Sequence, residues 1–168
     1  MTLDEINSCA QSDFTAALGA IFEHSPWIAE QAWPQAPFAT IEHLHSAMCM
    51  LLAAAPQVAQ LELIRAHPEL AGKAAIRGEL TDASTREQSG AGLSQCSPDE
   101  YAELTRLNDT YHEKFGFPFI LAVRGHTRAS IIANMAERVG NNRESEIATC
   151  LTQIARIARF RLGDLIEG

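Results

Sequence analysis

Positive charge is scarce in this chain. Thirteen Lys and Arg stand against 21 Asp and Glu in 168 residues, a formal net charge of −8. An acidic surface with scattered basic residues lacks the electrostatic footprint of a nucleic-acid binder and is repelled by anionic lipid. Cysteine is equally sparse. Cys9, Cys49, Cys96 and Cys150 lie far apart with no CxxC pair, which suits separate reduced thiols better than a zinc site or a disulfide framework. Long apolar runs are missing as well. The longest uncharged one, Ala47 to Ala55, is less than half of the roughly 20 residues that span a bilayer. The N-terminal Met-Thr-Leu-Asp-Glu has neither the basic region nor the hydrophobic core of a signal peptide. The expectation is a soluble, intracellular, compact protein. It leaves a question: how would a chain of charge −8 bind an anionic metabolite?

What is present is apolar bulk and helix punctuation. Apolar residues make up 46% and charged ones 20%, a globular balance, and a folded chain of this length hides roughly 70% of its extended surface. One domain over residues 1–168 is expected. Thr2 with Glu5 forms a capping-box pattern, Ser12 and Ser25-Pro26 mark further starts, and Thr40 opens a helix that ends near Pro56. Pro56 begins the next helix, which Pro68 breaks just after His67. A short helix is expected over Glu69 to Ile76, and another opened by Ser84-Thr-Arg-Glu87 as a capping box. Ser97-Pro98-Asp99-Glu100 combines cap, N1 proline and early acids, with Gly116 as the stop. Helices over Arg128 to Val139 and Arg143 to Ile166 complete the chain. Phe117 to Val123 is apolar but carries Pro118, and reads as a buried extended segment. The fold class is therefore all-α, a single compact domain of about eight helices with one short extended segment near 117–123.

Two residues stand out on physical grounds. In the last helix Ile147, Leu151, Ile154, Ala158, Arg161 and Leu165 follow steps of three and four, so Arg161 lies on the apolar stripe, where a guanidinium needs a partner. Arg156 and Arg159 fall off that stripe and should be solvated. The partner of Arg161 is either an internal carboxylate or a ligand's carboxylate or planar amide, since arginine offers forked donors. His67 sits on the stiff corner made by Pro68, and histidine is the side chain best suited to proton transfer near neutrality. A helix C-terminus also attracts histidine for its carbonyls, and His24, His43, His45, His112 and His126 compete for the role. Glu87 is either a capping residue or, with Ser84 and Gln88, part of a polar shelf at a positive helix end.

Other chemistries find little support. There is no HExxH, no GxSxG elbow and no GxxxxGK[ST], and His43-x-His45 points its rings to different sides of a helix. His45 and Cys49 are one turn apart, the single hint of a cysteine nucleophile, but a thiol in so apolar a helix is expected to be inert. No metal site and no cofactor are expected. A metal-dependent helical hydrolase and a non-catalytic helical module that binds a partner are the competing readings.

Several segments taken together resemble the family of 2-oxo-4-hydroxy-4-carboxy-5-ureidoimidazoline (OHCU) decarboxylases. They are Ile64-Arg-Ala-His67-Pro-Glu-Leu-Ala71, Ser84-Thr-Arg-Glu87-Gln88, Leu107 to Val123 and Ala158-Arg-Phe-Arg161-Leu, with Phe14 to Trp33 also fitting. The resemblance implies an all-helical, cofactor-independent enzyme of urate degradation that yields (S)-allantoin and carbon dioxide, usually as a homodimer. It implies His67 as catalytic acid/base and Glu87 among the residues that line the substrate; in the mechanism expected for such chemistry, His67 and Glu87 manage the protons. It also implies Pro68 beside the substrate ring, Ser84 and Gln88 lining it, hydrogen bonds from the backbone of Phe119, Ile120, Leu121, Ala122 and Val123, and Arg161 on the polar periphery. Ile166-Glu167-Gly168 carries no Ser-Lys-Leu-type signal, so a cytoplasmic setting is expected.

Overall fold

The computed structural model describes residues 1–167. Helices are laid down where the chain supplies caps and apolar faces in register: α1 (Leu3–Ser8), α2 (Gln11–Leu18), α3 (Trp27–Ala32), α4 (Ile41–Ala54), α5 (Gln57–Ala66), α6 (Lys73–Arg77), α7 (Asp82–Gly90), α8 (Pro98–Phe115), α9 (Arg128–Arg138) and α10 (Arg143–Leu165). Two short 3₁₀ turns lie at Trp33–Gln35 and Leu93–Gln95. The all-α expectation holds, with ten helices among the described residues instead of about eight; α1, α3 and α6 are only five or six residues long. No strand forms among those residues beyond an isolated bridge between Thr2 and Glu167, and no single helix is long and apolar enough to cross a membrane.

Local signals placed most helix ends. Thr2 forms the expected capping box with Glu5, Ser97 caps α8 as expected and also closes a capping box with Glu100, and Thr40 caps α4 by accepting from the N–H of His43. Gly116 ends α8 at φ 77°, a left-handed conformation that glycine adopts without steric penalty. Ser97→Ala should lower stability by about 1 kcal/mol, the usual loss on deleting a cap, as read by urea denaturation.

Besides α6, three starts differ from the sequence reading. Helix α2 begins at Gln11 after an Ala10 that makes no side-chain cap, so Ser12 lies inside it. Helix α3 begins at Trp27, because the Ser25 hydroxyl donates to the Glu23 carbonyl at 3.0 Å instead of capping forward. Helix α7 is capped by Thr81, whose hydroxyl accepts from the N–H of Ser84, so Ser84 and Glu87 are not a capping box. The earlier start turns Ser84 and Gln88, one helical turn apart, into the interior, 3% and 6% exposed.

The chain forms two compact units, residues 1–66 with 154–168 and residues 67–153. The first has a core that includes Phe14, Leu18, Phe22, Ile28, Phe38, Leu44 and Met48, all essentially inaccessible. Asn7 fastens the approach to α4 by donating to the Phe38 carbonyl (2.9 Å) and accepting from its N–H (2.7 Å). In the second unit Tyr111 packs against Phe115, Phe117 and Phe119 with ring centroids 4.6, 6.0 and 5.4 Å apart. This aromatic cluster seats residues 117–123, which are buried throughout and belong to neither helix nor strand, as the apolar run with Pro118 led us to expect.

Candidate active site

Helix α5 stops at Ala66, and His67 follows it, 7% exposed, ahead of Pro68. The expected helix over Glu69 to Ile76 does not begin until Lys73, because side chains capture the backbone before it can coil. Gln88 accepts from the Ala71 N–H at 2.9 Å through Oε1 and donates to the Glu69 carbonyl at 3.2 Å through Nε2. Asn108 donates to the Leu70 carbonyl at 2.9 Å, while its own Oδ1 is buried with no hydrogen-bond partner among the described residues. Ala71 is thereby held at φ 51°, a left-handed conformation that a non-glycine residue keeps only when its surroundings enforce it. The outcome is a stiff loop, residues 67–72, carrying a buried histidine.

Ser84, Glu87 and Gln88 share one face of α7, at spacings of three and four; Ser84 and Gln88 are buried and Glu87 half-buried. Gln88 is thus committed on one side to the His67 loop, and what it can still offer is its second amide hydrogen and second lone pair.

Phe119 to Val123 lies in the same unit. Its Ile120 carbonyl accepts from Arg138 Nη1 at 2.6 Å, and its Ala122 N–H donates to Gln153 Oε1 at 3.0 Å. Arg138 is itself buried and paired with Glu146, which is fully buried, at 2.9 Å, and its guanidinium stacks 4.3 Å over the Phe119 ring. Glu146 also accepts from the Tyr111 hydroxyl at 2.6 Å and from Asn141 at 3.0 Å, so the buried charges are paired and hydrogen-bonded. Burial, with the neighbouring Cys150 and Glu146, holds the Tyr111 hydroxyl protonated by pushing its pKa far up. Sequence reasoning missed Arg138, Glu146 and Gln153. The signal available was Glu146 standing one residue before Ile147 on the inward side of α10.

Arg161 belongs to the other unit. It is 7% exposed and donates through Nη1 to Glu23 Oε2 at 2.8 Å and toward the Ala20 and Ile21 carbonyls at 3.3 and 3.4 Å. Glu23 is 2% exposed. Of the two partners weighed for Arg161, the internal carboxylate is there. Arg156 is exposed, and Arg159 is a surface residue that pairs with Glu42.

The cysteine alternative fades on geometry. His45 Nε2 lies 2.7 Å from the Ala155 carbonyl and 3.3 Å from Cys49 Sγ. A carbonyl only accepts, so Nε2 carries the proton and cannot serve as base toward the thiol. Burial also pushes the Cys49 pKa up, away from the thiolate.

An all-helical fold that holds a buried histidine on a loop tied to a helix face bearing a hydroxyl, a carboxylate and an amide is an arrangement suited to acid–base chemistry in a helical enzyme. Comparison with known proteins makes this specific. The family model for OHCU decarboxylase matches residues 7–163. The chain is 40% identical over 165 residues to the 2-oxo-4-hydroxy-4-carboxy-5-ureidoimidazoline decarboxylase of Halalkalicoccus jeotgali, covering 98% of this chain and 92% of that one. It is 43% identical to the uric acid degradation bifunctional protein PucL of Bacillus subtilis, again over 98% of this chain but only 33% of that longer protein. A crystal structure of (S)-allantoin synthase superposes with a TM-score of 0.79 at 32% identity, covering 99% of this chain and 54% of the other. The chain belongs to the OHCU decarboxylase family, and is by class a decarboxylase, a carbon–carbon lyase.

Proposed function

We propose that this chain converts OHCU to (S)-allantoin and carbon dioxide in urate degradation, without a metal or organic cofactor. Family membership across residues 7–163 carries the reading, and the stiff loop bearing the buried His67 supports it. Decarboxylation leaves an electron pair that must be delocalised, and the substrate's own imine-like ring can accept it. The protein then has three tasks: turning the carboxylate out of conjugation, stabilising charge on the ring heteroatoms, and delivering a proton to one face. In this proposal His67 and Glu87 handle the protons. Ser84, Gln88 and the backbone of Phe119 to Val123 hold the ureido-imidazoline, Pro68 packs beside its ring, and Arg161 takes its polar periphery. The working form is a homodimer in the cytoplasm, a setting that suits four separate free thiols.

The test supplies freshly generated OHCU and follows the optical activity of allantoin by circular dichroism. Pure protein should speed formation of the (S)-enantiomer above the spontaneous, racemising decay. An unchanged rate with racemic product would leave the non-catalytic module as the better reading.

A further inference from the structure

The two grips on the buried segment point to a function for residues outside the proposed substrate set. Ile120 and Ala122 are two residues apart, the spacing at which a non-helical, extended backbone turns its polar groups to the same edge. That edge is held twice, by Arg138 on the Ile120 carbonyl and by Gln153 on the Ala122 N–H. Phe119, Leu121 and Val123 alternate with them along the segment. The Val123 carbonyl is used by the His126 N–H at 2.9 Å, while the Leu121 and Val123 N–H groups meet no acceptor at hydrogen-bond distance among the described residues. Buried backbone donors are nearly always paired, with protein, water or ligand, so these two are open to an acceptor from outside the chain.

We infer that Arg138 and Gln153 are positioning residues: they clamp one edge of residues 119–123 so that the Leu121 and Val123 N–H groups face the substrate's ring oxygens. Arg138 is in turn locked by Glu146, Tyr111 and Asn141 through Glu146, which gives the clamp a rigid base. Gln153 reaches the segment from α10 and is only half-buried, so the two clamps differ in what their removal does. Arg138→Ala would strand the fully buried Glu146 and upset the fold. Gln153→Ala removes one hydrogen bond and leaves the core intact.

The inference rests on the OHCU reading, and the experiment separates the two. Wild-type protein, Gln153→Ala and Gln153→Glu are compared on fresh OHCU, with melting temperature measured in parallel. Losing one neutral hydrogen bond that aligns two donors should lower kcat/KM by about 3- to 10-fold. Gln153→Glu keeps an acceptor for the Ala122 N–H and should restore most of the rate. Saturating (S)-allantoin should slow amide exchange at Leu121 and Val123 in the wild type and not in Gln153→Ala, a readout that a merely structural role would not move. If the wild type turns over OHCU and Gln153→Ala matches it, or if Gln153→Glu fails to rescue, the clamp is refuted while the function stands. Wild-type protein that leaves OHCU decay unchanged overturns the functional reading and this inference with it.

Discussion

His67→Ala should lower kcat on OHCU by about 10²–10⁴-fold, the range a well-placed general acid/base contributes. His67 is buried on a loop whose neighbours Glu69, Leu70 and Ala71 are each hydrogen-bonded to a side chain from α7 or α8. The imidazole's backbone is therefore fixed by groups other than the imidazole, and deleting the ring should leave the loop in place. Melting temperature should fall only modestly, while kcat collapses and KM moves little. His67→Asn, which keeps a polar group but cannot cycle a proton near neutrality, should be nearly as impaired as the alanine variant. Stopped assays of allantoin formation by circular dichroism, corrected for spontaneous decay, measure both. A His67→Ala enzyme retaining more than about a tenth of wild-type kcat would remove His67 from the chemistry and shift attention to Glu87.

What could be read in the sequence was local. The capping box at Thr2, the Ser97 cap, the Gly116 stop and the break at Pro68 each depend on residues within one turn, and the structure keeps them. The failures came where two local choices were equally good and a distant contact decided. Both Thr81 and Ser84 offer a hydroxyl at a helix start; burying Ser84 and Gln88 on the interior face selected Thr81. The segment after Pro68 has helical residues, but Gln88 and Asn108, some 17 to 38 positions away, take its backbone groups first. The register of α10 gave the burial of Arg161 correctly, yet nothing near it named Glu23, which is 138 residues distant. Gln88 shows the same limit for function. Family resemblance assigns it to the substrate, whereas its amide is already the tie that holds the His67 loop to α7, a double duty visible only in three dimensions.

Arg161→Ala should cost about 3–5 kcal/mol of stability, because it leaves Glu23, 2% exposed, as a buried charge with its guanidinium partner gone. Glu23→Ala should also destabilise, by removing the arginine's carboxylate and leaving it the Ala20 and Ile21 carbonyls, and an apolar replacement of both residues should recover much of the loss, since the pair's desolvation cost disappears with it. Chemical denaturation of the two single variants and the double variant gives the coupling energy. The pairing also recasts the problem set by a net charge of −8. Glu23 cancels the charge of Arg161, so under the proposed role of this residue an anionic substrate would gain from directed guanidinium donors and not from a surplus of positive charge. Substrate affinity should therefore depend on the guanidinium and not on cation count. Measured well below the melting temperature of each variant, Arg161→Ala should raise KM strongly. Arg156→Ala, which removes an exposed cation of equal charge, should leave KM within about twofold of wild type, since exposed charges are screened by solvent and salt. Equal effects of the two substitutions would assign Arg161 to the fold alone and leave the substrate's carboxylate to the helix face of α7.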